Sequence, residues 1–144
     1  MNQFDNNTAN NDKETSSSNT AESGLVIGKA ATVKTTVTDS NTAKAAGSGS
    51  LDVFATPMMV ALMEQAACEC LVGCLDDGQT SVGSLINVEH IKPSKIGAGI
   101  TATATIENIT GRKIEFIVSA SDGAGEIGKG VHTRVIVNAE RFMK

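Results

Sequence analysis

The rhythm of hydrophobic and polar positions divides the chain into a polar tail, one apolar helix and a series of strands. Residues 1–23 hold one large apolar side chain after the initiator Met, Phe4, among Asn, Thr, Ser and charge. So little apolar surface cannot offset the entropy of ordering, which predicts a disordered tail before a folded domain over 24–144. ATVKTTVT at 31–38 is rich in β-branched residues and predicts a strand. The small residues at 42–50, containing AAGSGS, predict a flexible loop. PMMVALMEQAACECLVGCL at 57–75 predicts a helix, with Thr56-Pro57 as its start, Thr56 as N-cap, and Asp76-Asp77-Gly78 as its stop. Being apolar almost all round, it is expected to be buried by the rest of the domain. Strands follow at 81–91, 99–109, 113–121 and 126–138, with turns at Thr110-Gly111-Arg112 and Asp122-Gly123. The implied fold class is α+β: a curved antiparallel sheet of five strands wrapped around one helix.

Composition then removes whole classes of function. The net charge is −4, and the tail carries −3 of it (Asp5, Asp12, Glu14 and Glu22 against Lys13). A nearly neutral domain argues against nucleic acid or an anionic membrane as partner. With four Phe, no Trp and no Tyr, the chain lacks platforms for stacking bases or gripping Pro-rich peptides. Glu64, Gln65 and Glu69 make the helix a poor membrane span, and it is short for one. Three cysteines cannot all pair with one another, and no secretory signal precedes them, so a reducing cytoplasm is expected. Cys68, Cys70 and Cys74 have the wrong spacing for a zinc knuckle and read as small buried hydrophobes; no metal site is expected. GAGEIG at 123–128 matches a dinucleotide fingerprint, but a strand follows it rather than a crossover helix.

Three residues could carry chemistry. Glu64 has apolar helical neighbours in Val60, Ala61, Ala67 and Cys68, so its carboxylate should enter the core or an interface. A carboxylate at the rim of an imperfectly covered helix fits the same pattern. His90, in NVEHIKP, shares a strand face with Ile86 and Val88 and is a general base, an orienting group or a satisfied structural histidine. Thr56 is most simply a cap, yet a helix start also aims amides at a ligand oxygen. Pro57 has no N–H, so those donors would be Met58 and Met59.

VFATPMMVALMEQAAC (53–68), SVGSLINVEH (81–90) and GEIGKGVHTRVIVNAERF (125–142) together resemble the fluoroacetyl-CoA thioesterase family of hotdog-fold proteins. The resemblance runs from about Leu25 to Met143. It implies a hotdog fold, a five-stranded antiparallel sheet around one long helix, assembled as a homodimer. It also implies a catalytic set of Thr56, Glu64 and His90. Gly83 would contact the acyl group through its amide, and Arg134 would either contact CoA or form a structural ion pair. Phe54, Met58 and Met59 complete the expected substrate-binding set. The implied activity is hydrolysis of a small acyl-CoA, with CoA part of the substrate and no separate cofactor. The resembled enzyme has an aromatic gate in the loop before the helix, where this chain has AAGSGSLDV and no aromatic before Phe54. A short acyl group not restricted to fluoroacetyl is therefore expected.

Eight residues at ~1.5 Å rise put Thr56 and Glu64 about 12 Å apart on one helix, too far for a direct hydrogen bond. Either His90 and substrate lie between them, or the site is shared across a dimer. Two rival readings are a non-catalytic acyl-CoA-binding or regulatory module and a hotdog hydratase or dehydratase. The second would call for an Asp-x4-His pair, which the chain lacks.

Overall fold

The computed structural model describes residues 24–144; the expected tail lies outside them. The order of elements is β1 (Ala30–Thr36), α1 (Ala43–Ala46), α2 (Thr56–Cys70), β2 (Gln79–His90), β3 (Gly99–Thr110), β4 (Lys113–Asp122), β5 (Gly125–Asn138) and α3 (Ala139–Phe142). The strands form one sheet in the order β1-β3-β4-β5-β2, and every pairing is antiparallel. Each strand lies within about two residues of its expected position.

Alternation along the strands builds the core. Ile100, Ala102, Ala104 and Ile106 of β3 and Ile114, Phe116, Val118 and Ala120 of β4 turn to one face and are buried there. Met59, Leu62, Met63, Ala66, Ala67 and Cys70 of α2 pack onto that face. The alanines of β3 let the helix approach closely, while each buried Ile, Leu, Met or Phe contributes roughly 1.5–3 kcal/mol through burial. Close fit continues at Gly128, where a Cβ would meet Met59 Sδ at 2.5 Å and the Glu89 carbonyl at 2.9 Å.

Four expectations need correcting. The helix ends at Cys70 rather than at 75, because the chain turns through Leu71 into Gly73, whose φ of 81° is left-handed. It is also not enclosed all round. Met58, Ala61, Gln65 and Cys68 are exposed on one side of α2, and Val72 just beyond it is 66% exposed. The loop at 42–50 contains a turn of helix, α1, capped by Thr42 Oγ1 on the Ala45 amide at 3.1 Å and closed by left-handed Gly47. Of the three thiols only Cys70 is buried. Cys68 is exposed, and Cys74 is half-buried and accepts from Lys29 Nζ at 3.1 Å.

No helix among the described residues is long and apolar enough to cross a membrane. Nor does any group of three or more His, Cys, Asp or Glu side chains that could hold a metal ion occur among them.

Candidate active site

The segment entering α2 is pinned to the chain following β2. Phe54 donates its amide to the Ser94 carbonyl at 2.8 Å, Ala55 donates to Asn41 at 3.1 Å, and Val53 bridges to Lys95. These contacts bring the first residue of α2 beside the last residue of β2. Ala55, not Thr56, occupies the N-cap position, and no side chain caps this helix. The Thr56 hydroxyl is committed elsewhere: Oγ1 lies 2.8 Å from Nδ1 of His90. The expected cap is thus replaced by a Thr–His pair.

The other ring nitrogen of His90, Nε2, is buried and has no hydrogen-bond partner. An orphaned buried polar atom costs free energy, and its recurrence at reactive sites makes it a marker for a missing ligand or proton partner. Burial pushes the His90 pKa below its ordinary value, against a weaker opposing contact with the Lys92 backbone. The imidazole is therefore neutral at neutral pH, as a proton acceptor must be. An open cavity of about 260 Å³ lies here, lined by Ala43, Ser48, Phe54, Thr56, His90 and Lys92 among others. Lys92 is drawn toward Asp122 at 3.6 Å. The Ala124 amide and the Ser94 hydroxyl hold that carboxyl below the usual range.

The amides of Met58 and Met59 are not available to a ligand oxygen. Both donate to the Ala55 carbonyl at 3.0 Å, so the first turn closes on itself. The Met59 side chain lies in the core, whereas Met58 is partly exposed and Phe54 is buried against the cavity.

Glu64 lies two turns further along α2, in a second polar cluster. Its Oε2 accepts from Arg134 Nη1 at 3.2 Å and lies 3.7 Å from His132 Nε2, while 40% of the side chain remains open to solvent. Arg134 is buried, with Nε on Ser81 Oγ at 2.8 Å and Nη2 on the Ser81 carbonyl at 3.1 Å. Of the two roles considered for Arg134, the structure exhibits the ion pair. Gly83 faces this cluster: a Cβ there would collide with Glu64 Oε2 and approach His132 Cε1 at 3.2 Å and Arg134 Nη1 at 3.3 Å. The expected residues therefore assemble in two places within one protomer, Thr56 with His90 and Glu64 with Gly83 and Arg134.

Sequence reasoning missed His132. It is 1% exposed, its Nδ1 lies 2.7 Å from the Leu85 carbonyl, and its ring stacks on Phe116 with centroids 6.0 Å apart. The signal was present: His132, Arg134 and Ile136 alternate on one strand face. An inward arginine needs a carboxylate, and Glu64 was the acid without a polar helical stripe to sit in.

Comparison with known proteins identifies a family and a fold. Residues 37–140 match the family model described as fluoroacetyl-CoA-specific thioesterase. The fluoroacetyl-CoA thioesterase of Streptantibioticus cattleyicolor is 40% identical over 91 residues, spanning 63% of this chain and 66% of that protein's length. A crystal structure of the fluoroacetyl-CoA thioesterase FlK superposes with a TM-score of 0.78 at 32% identity, covering 83% of this chain and 93% of that one. A point mutant of FlK solved with fluoroacetate and CoA gives the same score and identity, over 82% of this chain and 99% of that one. The fold is shared more widely, with a hot-dog-like protein from Thermanaerovibrio acidaminovorans at a TM-score of 0.76 and 24% identity, covering 83% of this chain and 88% of that one.

Proposed function

The chain belongs to the fluoroacetyl-CoA-specific thioesterase family, and from that premise we propose that it hydrolyses a short acyl-CoA to the free acid and CoA. The observation that carries the reading is the Thr56–His90 pair beside a cavity, with the buried His90 Nε2 left free for a reacting group. In this scheme Glu64 acts at the thioester carbonyl carbon, either as nucleophile or by taking a proton from the attacking water. The C–S bond breaks and its electron pair leaves on sulfur as CoA thiolate. Where water attacks, the proton it gave to Glu64 passes on to the thiolate or solvent; where Glu64 attacks, a water that gives its proton to neutral His90 hydrolyses the acyl–Glu64 anhydride and frees the acid. Thr56 orients the imidazole, and the Gly83 amide supports the carbonyl oxygen as charge develops there. Turnover in 18O-water separates the two roles of Glu64: label entering its carboxylate marks the nucleophile.

The working unit in this proposal is a homodimer. The exposed side of α2 (Met58, Ala61, Gln65, Cys68) continues into Val72, and the open edge of β2 exposes Leu85 and Ile86. A second copy on this surface brings its Glu64 to the Thr56–His90 pair of the first. The acyl group is short and not restricted to fluoroacetyl, since the loop before α2 presents small residues such as Ala43 and Ser48 to the cavity. We assign the reaction to a reducing cytoplasm, consistent with three free thiols.

A panel of acyl-CoAs assayed with a thiol reagent tests hydrolysis. Release of CoA supports it, whereas binding without release supports a non-catalytic module. Mixing Thr56→Val and Glu64→Gln proteins, each retaining about a tenth of parental activity or less, tests the shared site. Random re-pairing makes half the dimers mixed, each with one intact site, so roughly a quarter of parental activity should return. No recovery would place the whole set within one protomer.

A further inference from the structure

The cluster around Glu64 contains a buried histidine that the hydrolysis scheme does not use. The Leu85 carbonyl can only accept, so the 2.7 Å contact from His132 requires Nδ1 to carry the proton. That fixes Nε2 of a neutral ring as a lone-pair acceptor. Arg134 Nη1 lies 3.2 Å from this Nε2 and 3.2 Å from Glu64 Oε2, poised between the two. Ser81 holds the other side of the guanidinium through its hydroxyl and carbonyl. The ring cannot swing away, because it is enclosed and stacked on Phe116.

We infer that His132 is a positioning residue for hydrolysis: its Nε2 fixes the Arg134 guanidinium, which in turn aims the half-exposed Glu64 carboxylate at the substrate. The inference rests on the hydrolysis reading above and adds to it the group that orients the acid. His132 is faced by Glu64 from α2, Arg134 from its own strand, the Leu85 carbonyl from β2 and the Phe116 ring from β4. Burial, helped by the charge of Arg134, holds its pKa below the ordinary value against the pull of the Leu85 carbonyl and Glu64. The neutral state matters, since a proton on Nε2 would confront Arg134 with a second cation and remove the acceptor.

The test compares two replacements. His132→Phe keeps an aromatic ring against Phe116 but accepts nothing; His132→Gln returns an acceptor oxygen near the position of Nε2. With an acyl-CoA that the parent hydrolyses, His132→Phe should lose about ten- to a hundredfold in kcat, the scale of a misplaced reacting group, with KM within about threefold. His132→Gln should stay within about threefold of the parent. In a Glu64→Gln background, His132→Phe should cost nothing further, because the group being aimed is gone. Parental kcat in His132→Phe, equal losses in both variants, or a further loss in the Glu64→Gln background would each overturn the positioning role while leaving hydrolysis intact. A parent that releases no thiol from any acyl-CoA fails the hydrolysis reading itself, and this role with it. If His132→Phe does not fold, 15N spectra of the wild-type histidines decide. At about pH 7.5 His132 must be the Nδ1–H tautomer, and an Nε2–H form would overturn the inference.

Discussion

Replacing Gly83 by alanine displaces the Glu64 carboxylate without dismantling the fold. The added Cβ would collide with Glu64 Oε2 and sit 3.2–3.3 Å from His132 Cε1 and Arg134 Nη1. His132 and Arg134 are buried and held by Leu85 and Ser81, whereas Glu64 is the end of a flexible chain with an open side. The carboxylate is the group that must yield, by about 1 Å, to reach ordinary van der Waals separation. A misplacement of that size costs about a hundredfold in rate, or roughly 2.7 kcal/mol of transition-state stabilisation. Stability should hardly change. Weakening an ion pair whose acid is 40% exposed costs under about 1 kcal/mol. Losing the unfolded-state freedom of glycine returns about 0.4–1 kcal/mol. The assay is kcat/KM on the best substrate of an acyl-CoA panel, alongside Tm. A folded Gly83→Ala protein within threefold of parental kcat/KM would refute the placement of Glu64 in the reaction; a collapse of Tm would refute the claim that only the carboxylate moves.

Three further outcomes follow from the geometry. Thr56→Val removes the hydroxyl on His90 Nδ1 and should lower kcat by about ten- to a hundredfold, while Thr56→Ser retains most of it, read by thiol release. Acidification should weaken both activity and fold. Burial lowers the pKa values of His90 and His132, so below the unfolded value near 6.5 the unfolded chain binds more protons than the native one. Stability is then full above that pH and is lost as pH falls through the lower native values, with Tm at about pH 5 below that at about pH 7.5. Activity needing neutral His90 should decline over the same acidic range. Ala61→Arg, on the exposed side of α2, should convert dimers to monomers in light scattering and abolish turnover together; an active monomer would exclude the shared site.

Much of this architecture was legible in the pattern of the chain because local and tertiary demands agree. In β3 and β4 alternation places Ala102, Ala104 and Ile106 opposite Ala120, Val118 and Phe116, with Ile100 and Ile114 on the same side, and one buried face results. Where the pattern misled, a tertiary contact had overridden a local one. Thr56 carries every mark of a cap, but His90, 34 residues away, claims its hydroxyl. Met58 and Met59 are the exception, a local one: their amides are taken up when the first turn closes on the Ala55 carbonyl. The helix is apolar on more faces than the sheet covers: Met59, Leu62, Met63, Ala66, Ala67 and Cys70 enter the core, while Met58, Ala61 and Cys68 stay exposed. His132 shares a strand face with Arg134, but the strand pattern alone does not say what that face meets. Only the register with β2 turns His132 and Arg134 toward Glu64.

The spacing within α2 gives the division of the site its meaning. Thr56 meets the end of β2 at His90, and Glu64 meets its beginning at Gly83, so helix and strand run past each other in opposite senses. An isologous pair related by a two-fold axis reverses direction again, since residue i of one copy faces residue j of the other and the converse. With that axis near Val60, positions 56 and 64 of opposing helices are equidistant from it and lie across from one another. The proposed dimer therefore turns two half-sites, about 12 Å apart on one helix, into two complete ones. The ion pair with Arg134 belongs to this logic. In the proposed dimer it would hold Glu64 extended toward the second copy, since its own helix offers it no hydroxyl or imidazole. In that proposal each protomer brings an acid held by Arg134 near one end of α2 and the neutral imidazole of His90 beside the other, and the reaction draws on one of each from the two copies.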